Sequence, residues 1–67
     1  MCEAKVFLEK ESSRELLMED VVSIKPIDEG LSLVDIMGRE KPVAASIKEI
    51  KLLEHAVLLE PLVEKRR

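Results

Sequence analysis

The sequence predicts a small fold built of short β-strands, and three observations predict it. The chain has 67 residues, enough for one domain only. Turn-forming residues recur at short intervals, at Ser12-Ser13, Glu19-Asp20, Asp28-Glu29-Gly30 and Gly38-Arg39. Between them lie brief aliphatic runs, some alternating with polar residues as a half-buried strand does.

Ala4-Lys5-Val6-Phe7-Leu8 reads as the first strand, ended by Glu9-Lys10-Glu11 and Ser12-Ser13. Arg14 to Met18 reads as a short second strand, with Glu19-Asp20 as its turn. In the next run Val22, Ile24 and Pro26 alternate with Ser23, Lys25 and Ile27. Pro26 cannot donate to a ladder, so a sheet edge or a strand end is expected there. Asp28-Glu29-Gly30 follows as a hairpin turn, because glycine can take the positive φ such turns require. Leu31 to Met37 is the partner strand, with Leu31, Leu33, Asp35 and Met37 on one side and Ser32, Val34 and Ile36 on the other. Neither face is cleanly polar, which suits a barrel strand. Gly38-Arg39 makes the next turn, and Glu40 to Ala44 forms another edge segment.

Two readings compete for Ser46 to Leu59. Ile47, Ile50, Leu53 and Val57 fall at helical spacing, and Ser46 with Glu49 resembles a capping box. The alternative is two strands, Ile50 to Leu53 and Ala56 to Glu60, joined at Glu54-His55. Periodicity alone favours the helix. Pro61 ends the regular structure, giving a domain of residues 1–61 and a short tail of residues 62–67.

Composition narrows the function. A domain this small buries only about 60% of its unfolded surface. One cysteine allows no internal disulfide, and Phe7 is the sole aromatic residue, so the core must be aliphatic. Burying more of it against a second copy is the expected remedy, hence a homodimer. The net charge of −3, with acids and bases interspersed, speaks against nucleic acid, which needs a basic stripe or aromatic platforms. There is no triad, no glycine-rich phosphate loop and no second cysteine, so the chain does not read as an enzyme. With no secretory pattern and no apolar run of about 20 residues, a cytoplasmic protein without a membrane span is expected.

Cys2 is the residue most suggestive of chemistry. Removal of Met1 would leave its amine and thiol on adjacent carbons, a five-membered chelate for a late divalent metal. One chain offers too few donors, but two N-termini in a symmetric dimer would supply two sulfurs and two nitrogens. That set suits square-planar nickel or copper, or tetrahedral zinc. If Met1 stays, the thiolate must work with a backbone amide. The bland alternative is a small apolar residue, free and inert. His55 is the other strong donor, and it joins a site only if its turn packs near the N-terminus. Met1, Met18 and Met37 are scattered and read as gap-fillers.

The opening Met-Cys-Glu-Ala-Lys-Val-Phe-Leu closely resembles the start of the CooT family of small nickel-binding proteins. The likeness continues through Asp20-Val21-Val22, Asp28-Glu29-Gly30 and Ile47 to Pro61, and so spans essentially the whole chain. The resemblance implies an all-β fold, a small antiparallel SH3-like barrel that forms a homodimer. It replaces the helical reading of Ile47 to Leu59 with a hairpin turning near His55. It also implies one nickel ion per dimer with Cys2 as ligand, and delivery to a nickel enzyme such as carbon monoxide dehydrogenase. The rival reading is a small barrel adaptor or RNA-binding module without metal.

Overall fold

The computed structural model describes residues 3–62, and they form one six-stranded sheet with a single 3-10 turn. The strands are β1 (Ala4–Lys10), β2 (Ser13–Ile27), β3 (Gly30–Asp35), β4 (Glu40–Val43), β5 (Ala45–Lys51) and β6 (Ala56–Pro61). The turn, Leu52–Glu54, joins β5 to β6. In space the order is β4-β3-β2-β1-β6-β5. The two edge strands, β4 and β5, are separated in sequence by Ala44 alone. The sheet must therefore curl until its edges nearly meet, giving an all-β half-barrel.

Gly30 shows how close that approach is. Its φ is +146°, and a Cβ there would strike the Val43 carbonyl oxygen and lie 2.9 Å from the Ala45 amide nitrogen. The Asp28-Glu29-Gly30 turn thus needs glycine for its backbone and for the space beside it. Pro26 lies where expected, opposite Leu31 near the end of β2 and beyond the stretch that pairs with β1.

Strand β2 departs from the expected pattern. Glu19-Asp20 is not a turn but a bend within one strand of 15 residues. Asp20 takes a left-handed conformation (φ +56°), which Asp tolerates better than most residues. The ladder to β1 ends at Val21, the ladder to β3 begins at Val21, and register shifts flank the change. The bend lets one strand serve two neighbours as the sheet rolls.

The segment after Ala44 is a hairpin, as the family resemblance implies, although β5 begins at Ala45 rather than Ile50. The helical spacing has a physical source. A register shift falls between Ile47 and Glu49, leaving Ile47 opposite Leu59 and Ile50 opposite Val57. Both isoleucines therefore share the face of two core residues despite their three-residue spacing, which a straight strand could not achieve. Ser46 pairs with Glu60 and caps nothing.

Four ladders are antiparallel as expected, but β1 and β6 run parallel, from Lys5 beside Ala56 to Leu8 beside Leu59. Parallel neighbours need a long connection, and strands β2 to β5 provide it. The core is aliphatic: Val6, Val21, Leu31, Leu33, Ala45, Val57 and Leu59 are buried together. Phe7 lies outside that cluster, with the Arg14 guanidinium 5.6 Å from its ring centre. Leu62, assigned to the tail, still donates its amide to the Ala44 carbonyl (3.4 Å).

Candidate functional site at the start of the first strand

Cys2 itself lies outside the described residues. Glu3, one peptide bond away, leads into β1, so the surroundings of Glu3 and Ala4 define what the N-terminus can meet. The His55 turn stands beside them. The Lys5 amide donates to the His55 carbonyl (2.9 Å), and the His55 amide donates to the Leu52 carbonyl (3.2 Å). His55 is left-handed, with φ +53° and ψ +45°, and closes the 3-10 turn before β6 begins. The His55 turn thus packs against the start of β1.

Two hollows open on either side of this contact, and Glu3, Ala4 and His55 line both. One, about 270 Å³, is mainly apolar and is completed by Ile50, Leu52 and Val57 among others. The other is of mixed polarity and adds the charged residues Lys5, Asp20 and Glu54. Carboxylates outnumber cations in the second hollow, which favours positive ligands. Among the described residues, however, no three His, Cys, Asp or Glu side chains come together as a metal-binding group. A metal site of three or more such side chains at this end would have to draw on residues outside the described ones or on a second chain.

The same end carries much of the chain's exposed apolar surface. Leu52 is 79% exposed and Leu53 97%. On the other flank Val22 follows Val21, the partner of Ala4, and is also exposed. Exposed Ile36 and Met37 stand next, the Ile36 amide donating to the Asp20 carbonyl (2.8 Å). Isolated exposed aliphatic residues are ordinary; here five of them are grouped around one strand end.

The polar clusters elsewhere hold the fold together. Asp35 is 3% exposed and accepts from the Met37 amide (3.0 Å), the Arg39 amide (2.8 Å) and Arg39 Nε (2.8 Å). Burial pushes its pKa upward, but the bonds from Arg39 and Met37 outweigh that and hold it below the ordinary carboxylate range. Glu9 bonds to Lys48 (2.8 Å) across β6 and to Arg14 Nη2 (2.6 Å). Those partners, Lys48 foremost, lower the Glu9 pKa, while Glu9 raises that of Lys48. Ser32 donates to Glu40 (2.7 Å). Among the described residues no buried side-chain nitrogen or oxygen lacks a partner. No helix among them is long and apolar enough to cross a membrane.

Comparison with known proteins agrees with this architecture. The family model for the CO dehydrogenase accessory protein CooT matches residues 1–60. An uncharacterised protein of Methanothermobacter thermautotrophicus is 32% identical over 60 residues, covering 90% of this chain and 89% of that protein. The crystal structure of a candidate CooT from Carboxydothermus hydrogenoformans superposes with a TM-score of 0.87 at 39% identity, covering 92% of this chain and 100% of the other.

Proposed function

The chain belongs to the CooT family of CO dehydrogenase accessory proteins, and from that premise we propose a nickel-binding carrier or store, not an enzyme, with its cargo held at Cys2 between two copies. The observation that carries this reading is the crowding of exposed Leu52, Leu53, Val22, Ile36 and Met37 around the strand end to which Cys2 is attached. A second copy seated on that surface would bury it and bring a second Cys2 within reach. Donor counting supports the same arrangement. One chain offers a thiolate and, once Met1 is removed, an amine; two chains offer four donors of the kind nickel takes in a square plane. A nickel enzyme such as carbon monoxide dehydrogenase is the proposed recipient, and the cytoplasm, where thiols stay reduced, the proposed compartment.

Binding must displace protons from a thiol of ordinary pKa about 8.5 and an amine of about 8. Affinity should therefore rise steeply between about pH 6 and pH 9. Nickel titration of the wild type and of Cys2→Ser, followed by thiolate-to-metal charge-transfer absorption, tests the proposal. The wild type should saturate at one ion per two chains and develop the band. Equal nickel binding by Cys2→Ser would end the reading.

A further inference from the structure

We infer that Lys51-Leu52-Leu53-Glu54 is a self-complementary docking surface, taken by the same segment of a second copy of the chain. The inference rests on the second copy invoked above and specifies how it is recognised; it does not draw on the metal. The segment reads cation, leucine, leucine, anion. A two-fold axis passing between Leu52 and Leu53 lays it against itself in the opposite direction. Lys51 then faces the partner's Glu54, and Leu52 faces the partner's Leu53. Each contact occurs twice, so a charge pair flanks the leucines on both sides. An isologous interface demands this pattern, because one patch must serve on both chains.

The fold presents the segment in a form suited to such a contact. Both leucines of the 3-10 turn are almost wholly exposed. The turn is braced behind them, the His55 amide donating to the Leu52 carbonyl and the Lys5 amide to the His55 carbonyl. Little ordering of the backbone is left to be done on binding, which favours association. Beside the turn lies the mainly apolar hollow of about 270 Å³, with Leu52 as one wall and Ile50, Ala56 and Val57 as others. The partner's Leu53, arriving against Leu52, meets the mouth of that hollow. A projecting leucine and a hollow to receive one thus lie side by side on the same chain, as two-fold docking requires.

Charge selects a second copy over other occupants. Among the described residues neither Lys51 nor Glu54 joins an ion pair, whereas Glu9, Arg14, Lys48, Asp35 and Arg39 are all engaged. An anionic lipid surface favours cations around exposed leucines. Glu54 opposes that, and so does Glu3, which also lines the hollow. A uniformly acidic or uniformly basic partner would satisfy one charge of the segment and repel the other. Charges at the rim of an apolar contact set partner choice and orientation more than strength. A standard interface covers roughly 800 Å² on each partner, so the turn is its recognition element rather than its whole area. Half-exposed Ile50 and the exposed aliphatic residues already described extend it.

The test is a charge swap on the full-length protein. Apparent mass is followed by light scattering over a dilution series, with and without one nickel ion per two chains. Lys51→Glu leaves each segment with two acids, and Glu54→Lys leaves it with two bases. Each variant alone should associate at least about tenfold more weakly than the wild type, because like charges then face each other twice. Mixed one to one, the two variants should pair with each other at close to wild-type strength, each now meeting its opposite. No effect confined to one chain produces that recovery, so a folding defect cannot imitate it. Single variants that associate like the wild type, or a mixture no tighter than its components, overturn this pairing and leave a second copy to dock elsewhere. A wild type that stays a single chain at every concentration, with nickel or without, removes the second copy itself and this inference with it.

Discussion

The two ends of β5 are built on opposite principles. At its start, where Ala44 carries the chain from β4 to β5, Gly30 packs so closely that even a methyl group is excluded. Ala45 is 2% exposed, and the Leu62 amide closes on Ala44 from the other side. At its end the chain passes into Leu52 and Leu53, two leucines with almost nothing over them. The first end is closed within one chain, whereas the second leaves its leucines open. The site proposed for nickel lies at the open end.

The largest effect should come from disturbing the closed end. Gly30→Ala places a Cβ against the backbone of Val43 and Ala45, and neither backbone group can yield without pulling the β4–β5 link away from the start of β3. The positive φ adds strain to the steric clash. A loss of about 3 kcal/mol or more is expected, a large part of the stability of so small a domain. Thermal and urea unfolding check it. Wild-type stability would mean that the corner is far more compliant than its geometry suggests.

That corner and the open end were unequally legible in the sequence. Asp28-Glu29-Gly30 announced a turn because only glycine serves there, and the space beside Gly30 confirms the choice. Glu19-Asp20 misled because the residues that favour turns also tolerate the left-handed conformation of a bulge. The β5 segment misled for a related reason: its register shift puts Ile47 and Ile50 on one face, and three-residue spacing then imitates a helix. The parallel pairing of β1 with β6 left no local trace, since it is decided by strands folding between them. For the same reason no local pattern in the sequence tells that the His55 turn packs against the start of β1.

The next largest effect lies in the turn after β3. Asp35 holds the Met37 and Arg39 amides and the Arg39 side chain, and its pKa is lowered in the folded chain. A lowered folded pKa means that this contribution is complete above the unfolded value of about 3.9 and fades as pH falls through the folded pKa. Glu9 behaves in the same direction through Lys48 and Arg14. Asp35→Asn should therefore lower the Tm at pH 7 by on the order of 5 °C, and the deficit should shrink below about pH 4. A deficit that stays constant from pH 7 to pH 3 would show that shape, rather than charge, is what the turn requires.

The smallest effect on the fold, and the one that tells most about the comparison, belongs to Leu53. At 97% exposure its side chain contributes almost no buried area within one chain. Replacing it by serine should change the unfolding free energy of the isolated chain by no more than about 0.5 kcal/mol. If a second copy covers this end, the same substitution removes apolar area from the contact, at about 25 cal/mol per Å² buried. Association would then weaken while the fold stays intact, and the apparent mass at micromolar concentration should move toward that of one chain. Light scattering across a dilution series measures this, with the melting of a dilute sample as the control for folding. An unchanged mass at every concentration would mean that Leu53 is exposed for some purpose other than pairing, and that the two ends of β5 differ for a reason other than dimer formation.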